Sequence, residues 1–256
     1  ELRELDVQFN GMKPQEVAQQ TIAAPEAPVV SLAGVKGDAK TIERAERILN
    51  ESLDPLAARV AAKLPKIKEI KSVKGGAFYR SSEKYLQTRI KSDGTDDHAV
   101  TAHEYGHHID YEIGIKLGTG RRSWSETDGR FQEAYKLDRK NLNLVATKTR
   151  KAEAYNIMAG TFRIKQVNGR GRWDFEEAPT KGNLCDILDG MTGGICRYDL
   201  GGFGHTKSYW GNKGAKEKET FANMYSILGT DDWKNVERLF PNTAKRFIQI
   251  LEEMAK

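Results

Sequence analysis

Apolar and polar positions change period several times along the chain, and each change marks an element. From Thr41 to Leu64, apolar residues recur at three- and four-residue steps in Ile42, Ala45, Ile48, Leu49 and Leu53, the period of a helix with one buried face. Pro55 lacks an amide donor and crowds the preceding turn, so this helix should bend or split there. The stretches "IKEIKSV", "GAFYRSS" and "KYLQTRI" alternate between Gly and Ser breaks, and predict a small antiparallel sheet. The last of them, directly before the next helix, is expected to accept an extended peptide as an added strand.

Helical spacing returns in "AVTAHEYGHHIDYEIGIKLG", with Asp96 or Asp97 as its cap and Gly118 and Gly120 as its stop. Residues 122–160 read as mostly helical, with Trp124, Phe131, Tyr135, Leu137, Leu142 and Leu144 as core. "TFRIKQVNGRGRWDF" predicts a hairpin turning at "NGRG". Residues 183–214 read as short elements, because eight glycines between Gly190 and Gly214 suggest loops around a site. Three helices follow, in "AKEKETFANMYSILG", "DDWKNVERLF" and "NTAKRFIQILEEMAK", with Pro241 between the last two. The whole is α+β: residues 41–256 form one domain, and 1–40, which mix Pro, Ala and Gly without period, form a leader or linker.

Composition narrows the function classes. Of the 256 residues, 38% are apolar and 30% charged, enough to bury a core under a polar surface. No apolar run reaches the roughly 18 residues of a membrane span. The net charge of +5 is scattered among acids, as a solvated surface requires, and marks no nucleic-acid groove. The N-terminal residues lack the order of a secretory signal and do not start with Met, so they read as a fragment or a processed product. Cys185 and Cys196 fit neither a redox pair nor a zinc ribbon and read as two buried thiols.

The chemistry is concentrated in residues 96–114, "DDHAVTAHEYGHHIDYEIG", which hold four of the five histidines. His103 and His107 lie four apart, on one helical face and about 6 Å apart along the axis. Both imidazoles can reach one ion at about 2.0 to 2.1 Å. Glu104 is turned about 100° from His103, beside such an ion without ligating it. This is the HExxH pattern, in which zinc activates a water and the glutamate takes its proton. Gly106 leaves room for another segment to approach the metal. His98 reads as the solvated helix start, and His108 as a surface or core-edge residue with a weaker claim to a place beside Glu104.

A catalytic zinc takes three protein ligands. The metzincin extension fails, since Asp110 and Ile113 stand where it needs glycine and histidine. The aspzincin pattern is half matched by "GTDDWKNV" through Asp232, which also suits a helix N-cap. A gluzincin takes a glutamate from a second helix, and "EKETFANMYSIL" offers Glu219, with Glu217 as the local alternative.

"HEYGH" followed downstream by "ETFAN" resembles gluzincin peptidases of the lethal-factor type, in which the HExxH helix pairs with one carrying E-x-x-A. That implies a zincin-like fold, His103, His107 and Glu219 as zinc ligands, and Glu104 as general base. It also implies a residue that stabilises the oxyanion, for which "GHTKSYW" offers Tyr209, with His205 as alternate. "LCDILDGMTGG", "GFGHTKSYWG" and "KETFANMYSIL" together look like the C-terminal zincin-like domain of phage minor head or head-morphogenesis proteins, over roughly residues 75–256. The 111 residues between His107 and Glu219 exceed the spacing of compact gluzincins and imply an inserted helical segment. The resemblance implies a zinc-dependent endopeptidase acting on a protein or peptide, with phage head proteins as partners and a virion or host-cytoplasm setting. Its rivals are a non-catalytic head-assembly domain on the same fold and a lethal-factor-like effector peptidase.

Overall fold

The computed structural model describes residues 29–89, 98–146, 149–162, 164–167, 170–173 and 180–256, with the backbone alone at 98, 164–167 and 170–173. The expected caps Asp96 and Asp97 lie outside them. The fold is mixed α+β, a small three-stranded sheet among many helices. Among the described residues no helix is long and apolar enough to cross a membrane.

Helix α1, Ala39–Ser52, starts where Asp38 accepts from the Thr41 amide at 3.0 Å. It stops as Leu53 and Asp54 turn extended ahead of Pro55, the first residue of α2, Pro55–Lys63. Asp54 caps α2 by accepting from the Leu56 amide at 2.8 Å, so Pro55 splits the expected helix.

The sheet holds β1, Glu69–Ser72, β2, Phe78–Arg80, and β3, Tyr85–Thr88, in the order β1-β3-β2. It is mixed, which corrects the antiparallel expectation: β2 and β3 form an antiparallel hairpin, but β1 runs parallel to β3 on its other side. Strand β3 is therefore central and hydrogen-bonded on both sides, so residues 85–88 of "KYLQTRI" have no free edge for a peptide. The outer side of β1 meets Lys36 at Glu69, which leaves β2 as the open edge among the described residues. Leu86 and Thr88 face inward, and Thr88 Oγ1 lies 2.6 Å from Thr101 Oγ1 on the next helix.

That helix, α3, His98–Lys116, is buried along most of its length, with Ala102, Tyr105, Ile109 and Ile113 in the core. It ends ahead of Gly118, whose φ of 78° favours glycine. Helices α4, Gly129–Asn141, and α5, Arg150–Thr161, follow, then the hairpin of β4, Ile164–Val167, and β5, Arg170–Trp173. Trp124, Phe131, Tyr135 and Leu144 are buried and Leu142 packs at the edge of the core, but Leu137 is exposed. The buried stripe of α4 runs Phe131, Tyr135, Asp138, and Leu137 falls off it.

Residues 183–214 hold more regular structure than their glycines suggested. Helix α6, Lys181–Thr192, includes Gly190, which the Trp210 ring covers so closely that an added Cβ would sit 3.1 Å from it. The irregular part is confined to 193–208 and 212–214, on either side of the 3-10 turn Tyr209–Gly211. The chain closes with α7, Ala215–Ile227, α8, Trp233–Leu239, and α9, Pro241–Ala255. Cys185 and Cys196 are free and buried.

Candidate metal centre

Helix α3 packs most extensively on α7, and Gly106 is what allows it. A Cβ at position 106 would stand 2.9 Å from Ala222 Cα and 3.0 Å from Tyr225 Cβ, closer than packed atoms tolerate. The small pair Gly106 and Ala222 brings the two backbones together, and Glu219, one turn before Ala222, faces the histidines of α3.

His103 Nε2 lies 3.2 Å and His107 Nε2 3.4 Å from Glu219 Oε2. A tetrahedral ion with bonds of about 2.0 to 2.1 Å holds its ligand atoms about 3.3 Å apart, so these separations suit one zinc-sized cation. Glu219 Oε2 is buried without a hydrogen-bond partner among the described residues, an acceptor left open toward the imidazoles. His103 Nδ1 is also unpaired there, unlike the outer nitrogen of most metal-bound imidazoles. The donor set of two imidazoles and one carboxylate fits zinc.

The loop from Gly204 to Trp210 brings two more groups. The Tyr209 hydroxyl donates to Glu219 Oε1. The His205 ring stacks on Tyr209 at 3.9 Å between centroids, and its Nε2 lies 3.6 Å from Glu219 Oε2. Trp210 anchors this loop by donating from Nε1 to Asp189 Oδ2 of α6 at 2.7 Å. A cleft of about 270 Å³ opens here, lined by His103, Glu104, His107, His205, Tyr209 and Glu219 and walled by Phe78 and Tyr79 of β2.

The electrostatics follow from burying charges together. Burial penalises the Glu219 carboxylate, but His107, His103 and His205 outweigh that and hold its pKa well below the usual range. Burial alone would lower His103, yet Glu219 and then Glu104 lift it to about 9. Glu104 is raised, by burial first, against the pull of His103 and His107. Burial, then the Glu219 charge, keeps the Tyr209 hydroxyl protonated, so it remains a donor.

His103, His107, Glu104, Glu219, Tyr209 and His205 thus converge. Asp232 does not join them: it accepts from Thr180 Oγ1 and lies 3.4 Å from Asn235 Nδ2, and at the start of α8 its side chain caps no helix amide. Glu217 sits half-buried in the first turn of α7, outside the histidine cluster. His108 corrects the surface or core-edge expectation. It is fully buried under the sheet, 3.0 Å from the Tyr79 hydroxyl and 2.8 Å from the Pro65 carbonyl oxygen, and burial lowers its pKa to about 3. The side chain of His98 lies outside the described residues.

Periodicity did not single out Asp186. It occupies α6, 8% exposed, with Oδ2 accepting from Asn223 Nδ2 at 2.9 Å and lying 3.9 Å from His205 Nε2. The signal was an acid at 186 and another at 189 among Leu184, Ile187 and Leu188, where a helix this apolar offers charge no solvent. Comparison with protein-family models, curated proteins and solved structures finds no match.

Proposed function

We propose that this chain is a zincin-like, zinc-dependent peptidase domain, with His103, His107 and Glu219 holding the metal. The observation that carries the reading is the approach of two Nε2 atoms to one open carboxylate oxygen at 3.2 and 3.4 Å, beside a buried glutamate in the same cleft. A bound zinc ion would supply Lewis acidity toward a carbonyl and lower the pKa of a water.

The remaining work belongs to the chain's own groups. Glu104, with its raised pKa, accepts the proton of the attacking water and passes it to the leaving amine. Tyr209 keeps its proton and, on turning its hydroxyl away from Glu219 Oε1, donates to the oxyanion that forms from the peptide carbonyl, with His205 stacked against it. Strand β2, the open edge along the cleft, is where an extended peptide would add, in place of the central β3. A place in a phage head-associated protein rests on the resemblance over roughly residues 75–256 and is proposed on that ground.

The test is elemental analysis of the purified chain together with hydrolysis of an unfolded protein substrate. We expect one tightly bound zinc through His103, His107 and Glu219, and metal-dependent cleavage that Glu104→Gln abolishes while it still binds zinc. Zinc binding without turnover under any substrate would favour the non-catalytic head-assembly reading. A wild-type chain that binds no zinc, matched by His103→Ala in stability, would remove the metal reading altogether.

A further inference from the structure

A single zinc at His103, His107 and Glu219 leaves the buried Oδ1 of Asp186 unexplained. The donor atoms of Asp186, His205 and Glu219 also lie within 4.8 Å of one another, as do those of His103, His107 and Glu219. Asp186 Oδ1 is buried and, like Glu219 Oε2, has no hydrogen-bond partner among the described residues. Two carboxylates that face each other in a low-dielectric interior with open acceptors are costly unless a cation lies between them. His205 lies 3.6 Å from Glu219 Oε2 and 3.9 Å from Asp186 Oδ2, and its side chain is 38% exposed at the mouth of the cleft, so an ion can enter there. Three other core carboxylates are compensated: Asp110 takes both the amide and the hydroxyl of Ser125, Asp189 takes Trp210 and the Cys196 amide, and Glu112, whose Oε1 also lacks a hydrogen bond, pairs with Lys84 at 2.7 Å.

We propose that Asp186, His205 and Glu219 form a second divalent-cation site that shares Glu219 with the His103 and His107 site, giving a two-cation centre. The inference rests on the zinc-peptidase reading for its first cation. Two carboxylates and one imidazole are a harder donor set than two imidazoles and one carboxylate, and suit Zn²⁺ or Mn²⁺. Bound at this position, His205 serves as a ligand, which leaves Tyr209 as the donor to the oxyanion.

Calorimetric titration of the chelator-stripped full chain with Zn²⁺, checked by metal content after gel filtration, tests it. We expect two equivalents in wild type. In Asp186→Asn and in His205→Gln we expect the first step to remain and the second to weaken by more than about 100-fold, beyond what loss of an outer-sphere partner gives. His205→Gln is the safeguard if loss of the Asn223 contact unfolds Asp186→Asn, because His205 is half-exposed, and circular dichroism shows which variant is folded. One equivalent in wild type overturns the second site and leaves the first standing. Two equivalents in every folded variant overturn it as well, by placing the second ion elsewhere. Loss of both steps in folded His205→Gln overturns it by assigning His205 to the first site. No zinc in wild type overturns both readings.

Discussion

Asp138 of α4 and Glu219 of α7 are both buried carboxylates carried on helices, but their surroundings differ in kind. Asp138 is saturated: Asn242 donates its amide at 3.3 Å and Nδ2 at 2.6 Å, and Thr243 its amide at 2.8 Å and hydroxyl at 2.6 Å. These amides belong to the first turn of α9, so Asp138 caps that helix from another one and meets its positive end. Glu219 receives one hydrogen bond, from Tyr209, and keeps its other oxygen open toward three imidazoles. Adjacent histidines repeat the contrast, since both ring nitrogens of His108 meet oxygens under the sheet while the Nε2 of His107 faces the cleft. A buried polar group that stabilises a fold is surrounded by partners, whereas one kept for a ligand retains unused capacity.

The sharpest way to test the contrast is to change one member of each kind. Glu104→Gln should lower peptidase turnover by about 10² to 10⁴-fold, the range for loss of a general base, with zinc content and melting temperature unchanged. Asp138→Ala should cost about 3 kcal/mol or more of unfolding free energy in a denaturant titration, because four donors lose one acceptor in the interior. Glu219→Gln should do the reverse, weakening zinc binding by more than about 100-fold and, in the metal-free chain above the raised His103 pKa where that imidazole is uncharged, changing stability by about 1 kcal/mol or less. Equal stability losses at Asp138 and Glu219 would erase the distinction between them.

Gly106→Ala joins the two regions. The new Cβ meets the α7 backbone, so we expect a loss of about 1 to 3 kcal/mol and a parallel weakening of zinc affinity as the helices part. The smallest effect belongs to Asp128, which caps α4 by accepting from the Phe131 amide at 2.7 Å and pairs with Arg246 at 3.0 Å. Burial opposes its ionisation, but Arg246 and the Phe131 amide outweigh this and lower its pKa. Its contribution is therefore full above the ordinary carboxylate pKa and is lost as pH falls through the depressed one. Asp128→Asn should cost about 1 kcal/mol at neutral pH, and less in acid, when unfolding is compared across pH.

Much of this could be read from residues alone, and the failures have causes. The break at Pro55, the α3 helix with its paired histidines, the close approach at Gly106 and the three C-terminal helices all follow from local rules of period, ring geometry and size. Strand order did not follow, because alternation tells which face of a strand is buried but not which neighbour it pairs with. The same blindness put "KYLQTRI" at an edge and left His108 at the surface or core edge, since the sheet that covers that histidine is built from residues far from it in sequence.

Sequence by itself determined the two histidines, their glutamate and the short menu of acids able to join them, because helical spacing is a local geometric fact. Only the tertiary structure set Glu219 beside those histidines and left Asp232 and Glu217 apart from them, brought His205 and Tyr209 to it, and showed Asp186 with an open oxygen at the same place. Those choices depend on where α6, α7 and the 204–210 loop meet α3. Convergence across more than a hundred residues is set by which small side chains let backbones approach, as Gly106 and Ala222 do, and no local period records it.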